Sequence, residues 1–197
     1  MNTNNQISSL SGISSSQKIK RIAFLGGADW KEDSQVYGDA FETARLLARN
    51  GYEILNGGGP GVMKAATKGA HAGGAKVLVI TYHPNKKKMH FEGVDPENDF
   101  DEEVVTFDYF DRTKVLLQNS DVHIVFSGAT GTISEFGMTW ASSRIHEGNS
   151  KPIIVYGEIW NDLLNSIEKN LSLRPNELGL LKVCTNPQQV LDYIKSL

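Results

Sequence analysis

Apolar positions along this chain switch between the alternation of a strand and the three-to-four spacing of a helix, and that switching predicts its elements. From Ile19 onward, short β-branched or aromatic runs read as strands. They cover Arg21 to Leu25, Tyr52 to Asn56, Lys76 to Thr81, Val104 to Phe107, Val122 to Phe126, Pro152 to Tyr156 and Leu181 to Cys184. Helical patterns lie between most of them, at Ser34 to Asn50, Gly61 to Ala72, Tyr109 to Ser120, Gly131 to Ile145, Trp160 to Leu171 and Pro187 to Leu197. In the first helix Phe41, Ala44, Leu47 and Ala48 recur at helical spacing, and Gly51 ends it. Strands alternating with helices predict α/β architecture: a single doubly wound domain over residues 18–197, with a mainly parallel sheet covered on both faces. Residues 1–17 are rich in Ser and Asn, lack the basic start and apolar core of a signal peptide, and are expected to form a flexible tail.

Two glycine turns carry the candidate chemistry. The run Val122 to Phe126 leads into a turn of small residues, Ser127 to Thr132, and then into a helix whose first turns carry Glu135. Glycines let backbone approach a ligand, and the N–H groups that open a helix point at whatever lies in front, so a phosphate fits on charge and geometry. Thr132 adds a hydroxyl, and Glu135 sits about one helical turn back, reaching toward the same mouth. Taken alone, this stretch reads first as a strand-to-helix corner with a solvated Glu. The stretch Asn56-Gly57-Gly58-Gly59-Pro60-Gly61-Val62-Met63 repeats the same grammar, and the pair predicts two phosphate- or ribose-facing loops on one edge of one sheet.

The first strand also ends in a glycine turn, Gly26-Gly27-Ala28-Asp29-Trp30, where Rossmann-like folds hold nucleotides. G-x-G-x-x-G is absent there, which removes the usual NAD fingerprint. Asp29 and Trp30 read either as lining for a base pocket or as a surface turn.

Composition narrows the partners. With 197 residues, 40% of them hydrophobic, the chain is long enough for a sizeable core, and its net charge of -3 gives no general pull toward nucleic acid or an anionic membrane. No apolar run is long enough to span a bilayer. Cys184 is the only cysteine, so an intramolecular disulfide and a cysteine metal cluster are excluded, and a reducing cytoplasm fits. Its place in a strand marks it as a buried, inert thiol. The basic loop Tyr82 to His90, with Lys86, Lys87 and Lys88, precedes an acidic stretch from Glu92 to Glu103. It reads as solvated or as a flap over the site, and the spacing of His83 and His90 matches no strong ligand pattern, so no metal is expected.

The two glycine turns resemble those of the lonely-guy family of cytokinin-activating phosphoribohydrolases, which carry GGGxxGxM at the first loop and PGGxGTxxE at the second. Here the first is intact from Gly57 to Met63, while the second reads Ser127-Gly128-Ala129-Thr130-Gly131-Thr132-Ile133-Ser134-Glu135, with the Pro and one Gly replaced. Arg112 falls at the offset of the arginine those enzymes require, and Asp121 falls on their acidic position before the strand. Thr139-Trp140-Ala141, Ile145-His146 and Lys151-Pro152 extend the resemblance, which covers roughly Ile22 to Leu164. Without it, Arg112 is a surface residue paired with Asp108 or Asp111.

The resemblance implies hydrolysis of the N-glycosidic bond in a nucleoside 5′-monophosphate, giving free base and ribose 5-phosphate. It implies catalytic roles for Glu135 and Arg112: Glu135 beside the cationic sugar, and Arg112 orienting Glu135 and countering phosphate charge. Gly128, Gly131 and Thr132 would hold the phosphate, with Gly27, Gly58, Gly59 and Thr130 completing the phosphate- and ribose-facing surface. A homodimer is implied as well, and no cofactor. Ala129 in place of Gly disfavours positive φ and would obstruct a close phosphate if the backbone needed that conformation. That departure keeps open a nucleotide- or cofactor-binding protein without hydrolysis, similar to molybdenum-cofactor carriers. An amino-acid decarboxylase would need a pyridoxal-phosphate lysine, and no signature for one is present.

Overall fold

A computed structural model describes residues 19–83, 94–145 and 150–197. The strands are β1 Arg21–Leu25, β2 Glu53–Asn56, β3 Val77–Tyr82, β4 Glu102–Thr106, β5 Val122–Val125, β6 Ile153–Tyr156 and β7 Leu181–Cys184. The α-helices are α1 Gln35–Arg49, α2 Val62–Gly73, α3 Tyr109–Asn119, α4 Thr130–Ile145, α5 Ile159–Asn170 and α6 Pro187–Ser196, with a short 3-10 turn at Leu178–Leu180. The expected tail, most of the basic loop and His146 lie outside the described residues.

Polar side chains start the helices where the sequence places them. Ser34 Oγ accepts from the Tyr37 N–H, Asp108 Oδ1 from the Asp111 N–H, and Asn186 Oδ1 from the Gln189 N–H, with Pro187 in the first turn of α6. Asp108 and Asp111 are therefore committed to the start of α3, the latter accepting from the Phe107 N–H, and neither is the partner of Arg112.

All seven strands pair in parallel, in the order β4-β3-β2-β1-β5-β6-β7. The alternation along each strand separates two cores. Ile22, Phe24, Ile54, Val79 and Ile124 pack under α1, α2 and α6, while Ala23, Leu25, Leu55, Ile80 and Val125 pack with Leu116 of α3, Phe136 of α4 and Trp160 of α5. Asp121 Oδ2 accepts from the N–H groups of both Lys20 and Arg21 at 2.8 Å, which ties the start of β5 to the start of β1.

The chain builds outward from β1 through β2 to β4, then returns to the other side of β1 and builds outward again through β5 to β7. That reversal opens a crevice beyond the carboxyl ends of β1 and β5, the usual ligand position in such sheets. The loops that follow β1, β2 and β5 are the three glycine turns. Edge strand β4 departs from the expected Val104 to Phe107: it runs Glu102–Thr106, with Val104 and Val105 exposed, so hydrophobicity did not mark its ends.

Candidate active site

Gly27 joins the three loops. Its N–H donates to the Ser127 carbonyl at 3.1 Å, and its carbonyl accepts from the Val62 N–H at 3.1 Å, the first residue of α2. Gly61 turns the second loop into α2 with φ of +64°, and a Cβ there would lie 2.3 Å from the Gly27 oxygen. Gly128 is equally constrained on the other side, where a Cβ would lie 2.1 Å from Thr132 Oγ1 and 2.6 Å from the Gly27 nitrogen. Both positions demand glycine, one for its left-handed backbone and one for close approach.

The turn after β5 passes directly into α4. The Ile133 N–H donates to the Ala129 carbonyl at 3.1 Å, so Ala129 caps the helix and Thr130 is its first residue. The N–H groups of Thr130, Gly131 and Thr132 then have no intrahelical acceptor and face outward from the helix start. Asn176 is the only described residue other than glycine with positive φ, so Ala129 sits in this turn without the strain its side chain would bring to a left-handed position.

A cavity of about 50 Å³ opens where the loops meet. Its wall includes Gly27, Gly59, Gly131, Thr132, Arg112 and Glu135. Three other expected residues stand behind or beside it. Gly58, with φ of +72°, gives its N–H to Asn56 Oδ1 at 2.8 Å and receives the Asp95 N–H on its carbonyl at 3.0 Å, so its backbone shapes the turn. Gly128 wedges between Gly27 and Thr132, and Thr130 is exposed at the mouth.

Arg112 and Glu135 meet at the back of this cavity. Nη2 of Arg112 donates to Oε1 of Glu135 at 3.1 Å, and the side chains are only 13% and 9% exposed. The guanidinium lies 5.2 Å from the ring centre of Tyr109 and 5.8 Å from that of Tyr82, and its Nε is buried without a hydrogen-bond partner among the described residues. A buried ion pair costs desolvation on both sides, and burial beside an open cleft is how functional pairs differ from solvated ones.

Tyr109 escaped the sequence reading as a member of this site, and Trp30 read there as either lining or surface. The Trp30 indole Nε1 donates to the Ser127 carbonyl at 2.8 Å, and the Tyr109 hydroxyl donates to the Gly131 carbonyl at 3.3 Å. Asp29 lies on the cavity wall and is exposed, so of the two residues after Ala28 one faces the cleft and the other supports it.

The sequence model of the SLOG cluster4 family matches residues 20–186, which takes in all three glycine loops and both Arg112 and Glu135. The chain belongs to the SLOG cluster4 family. It is 30% identical over 141 residues to an uncharacterized protein of Archaeoglobus fulgidus, covering 71% of this chain and 86% of that one. A relative from Oryza sativa subsp. japonica, described as a "probable cytokinin riboside 5′-monophosphate phosphoribohydrolase", is 25% identical over 186 residues, covering 90% of this chain and 73% of the relative. The likeness to lonely-guy proteins read from the glycine turns therefore stands within this SLOG family. Among solved structures, the molybdenum cofactor binding protein of Rippkaea orientalis superposes with a TM-score of 0.66 at 22% identity, covering 92% of this chain and 98% of that one. At that identity the likeness establishes the shared fold. No helix among the described residues is long and apolar enough to cross a membrane.

Proposed function

We propose that this protein hydrolyses the N-glycosidic bond of a nucleoside 5′-monophosphate, of the AMP or cytokinin riboside monophosphate type, releasing the base and ribose 5-phosphate. The observation that carries this reading is the buried Arg112–Glu135 pair set in a cleft beside the open N-terminus of α4.

The N–H groups of Thr130, Gly131 and Thr132 and the Thr132 hydroxyl take the 5′-phosphate, at the positive end of the α4 dipole. Gly27 and Gly59 have no side chain on the cavity wall, so a sugar-phosphate seated over this small cavity comes close to backbone. As the bond from C1′ to the base breaks, positive charge grows on the sugar ring, and the Glu135 carboxylate lies where it stabilises that charge. Water supplies the hydroxyl at C1′ and a proton, and the base leaves carrying a proton on its nitrogen. Arg112 holds Glu135 in place through their hydrogen bond and adds positive charge for the phosphate.

The working unit in this reading is a homodimer. Helix α4 exposes Ile133, Gly137, Ala141 and Ile145, four residues apart in succession, an apolar and small-residue face suited to a second copy beside the site. A reducing cytoplasm suits the single cysteine, Cys184, whose burial in β7 pushes its thiol pKa up.

Incubation with a panel of nucleoside monophosphates tests the reading: free base and ribose 5-phosphate should appear in equal amounts. Retention of a nucleotide or pterin-type cofactor without any release would favour the binding-protein alternative.

A further inference from the structure

The turn that opens α4 is tied at both ends by aromatic side chains from elsewhere in the fold. At its start, the Ser127 carbonyl accepts two hydrogen bonds, from Gly27 N–H at 3.1 Å and from Trp30 Nε1 at 2.8 Å. At its end, the Gly131 carbonyl accepts the Tyr109 hydroxyl at 3.3 Å. Trp30 reaches across 97 residues of sequence and Tyr109 across 22, so neither bond is a local consequence of the turn.

We infer that Trp30 and Tyr109 are positioning residues that hold the Ser127–Thr132 turn in its anion-accepting form. This rests on the proposed use of that turn as a phosphate cradle.

The physical need arises from the turn's own sequence. Where the lonely-guy motif has a proline, this chain has Ser127, whose φ no ring restrains, followed by Gly128, the least restrained residue of all. A turn of this composition, exposed at Gly128, Ala129 and Thr130, has many conformations open to it. With the Ser127 carbonyl bound twice, the peptide from Ser127 to Gly128 cannot rotate without breaking both bonds. The Trp30 side chain also packs against the core beneath α1, so the donor itself is fixed.

Tyr109 acts at the other end and on a second group. Its hydroxyl fixes the first turn of α4 relative to α3, and its ring lies under the Arg112 guanidinium, 5.2 Å from ring centre to Cζ. One side chain therefore couples the place where the phosphate sits to the arginine that holds Glu135.

Two conservative variants test this, each removing one donor and keeping the ring: Trp30→Phe and Tyr109→Phe. Amide hydrogen exchange at Gly27, whose N–H donates to the Ser127 carbonyl, should quicken about tenfold in Trp30→Phe, with the amides of Ile22 and Phe24 in β1 unchanged. Affinity for ribose 5-phosphate, measured by calorimetry on the full chain, should fall about fivefold to tenfold in each variant, the scale of one hydrogen bond. In turnover, KM should rise while kcat changes little, because the rings and the Arg112–Glu135 pair remain. Exchange and affinity at wild-type levels in both variants would overturn the inference while leaving the hydrolase reading untouched. Wild-type protein with no affinity for ribose 5-phosphate or AMP would overturn the hydrolase reading and the cradle with it, whatever the exchange rates.

Discussion

Arg112 Nη2 and Glu135 Oε1 lie 3.1 Å apart across a gap of 23 residues, and the two helices that carry them both begin at the rim of the same cleft. Because α3 and α4 start there, the pair joins the first turn of α3 to the second turn of α4. Removing the cation takes a charge-assisted hydrogen bond from a buried carboxylate, which is costlier than losing a surface contact. Arg112→Ala is therefore expected to lower stability by roughly 3 kcal/mol and to weaken both substrate binding and turnover. Urea denaturation and steady-state kinetics on the same preparation measure the two effects. A variant as stable and as active as wild type would show that the pair is incidental.

Glycine positions give a sharper test because space is measured around them. Gly128→Ala drives a Cβ into Thr132 Oγ1 and the Gly27 nitrogen, and is expected to cost roughly 1–3 kcal/mol and most of the phosphate affinity. Gly38→Ala, on α1 with nothing within 4 Å of the added carbon, should instead stabilise by up to roughly 1 kcal/mol through helix propensity. Thermal denaturation of both variants, with ribose 5-phosphate titrations, distinguishes a packed cradle from a loose loop.

Much of this architecture was legible beforehand, for identifiable reasons. Strand β1 was read to the residue because Arg21 to Leu25 is a buried apolar run bounded by a charge and by glycine. The starts expected for helices α1 and α6, Ser34 and Pro187, fall within one residue of the observed ones. Edge strand β4 was misplaced because its ladder partners, Leu78 and Val79 against Glu102 and Glu103, leave no hydrophobic trace on the β4 side. In the site, the offset of Arg112 from the second glycine turn and its pairing with Glu135 were legible only through family resemblance, since the residues alone offered Asp108 or Asp111 as partners. Trp30 looked like either lining or surface because its bond to the Ser127 carbonyl depends on β1 and β5 being neighbours. The feared strain at Ala129 did not arise, since the helix begins one residue later and leaves Ala129 as an ordinary cap.

His123 predicts how stability depends on pH. It is buried in β5, neither ring nitrogen has a partner among the described residues, and its pKa falls to about 3, through burial first and the nearby Lys151 second. A folded-state value below the unfolded one means that the unfolded chain takes up the proton first. Stability from this group is complete above the unfolded pKa of about 6.5 and is lost as pH falls from there toward 3. Between pH 7 and pH 5 the loss should be about 2 kcal/mol. His123→Leu should remove that part of the acid sensitivity, narrowing the difference between urea midpoints at the two pH values. An unchanged difference would mean that the ring finds a partner or is protonated in the folded state.

The proposed recognition through the α4 N-terminus would make the phosphate indispensable. Nucleoside monophosphates should bind on the order of 10²-fold better than the matching nucleosides, because several charge-assisted hydrogen bonds are lost with the phosphate. Calorimetry with AMP and adenosine reads this directly, and equal affinities would remove the phosphate from the Gly128–Thr132 turn.

The central claim is that the Glu135 carboxylate stabilises positive charge on the sugar during hydrolysis. Glu135→Gln keeps the size of the side chain and its reach to Arg112 but removes the charge. The decisive measurement is release of free base from the best nucleoside monophosphate by wild type and by Glu135→Gln, with the Kd of each for ribose 5-phosphate as control. The expected result is a fall of about 10²-fold or more in turnover with a much smaller change in Kd. Undiminished release by Glu135→Gln would contradict it.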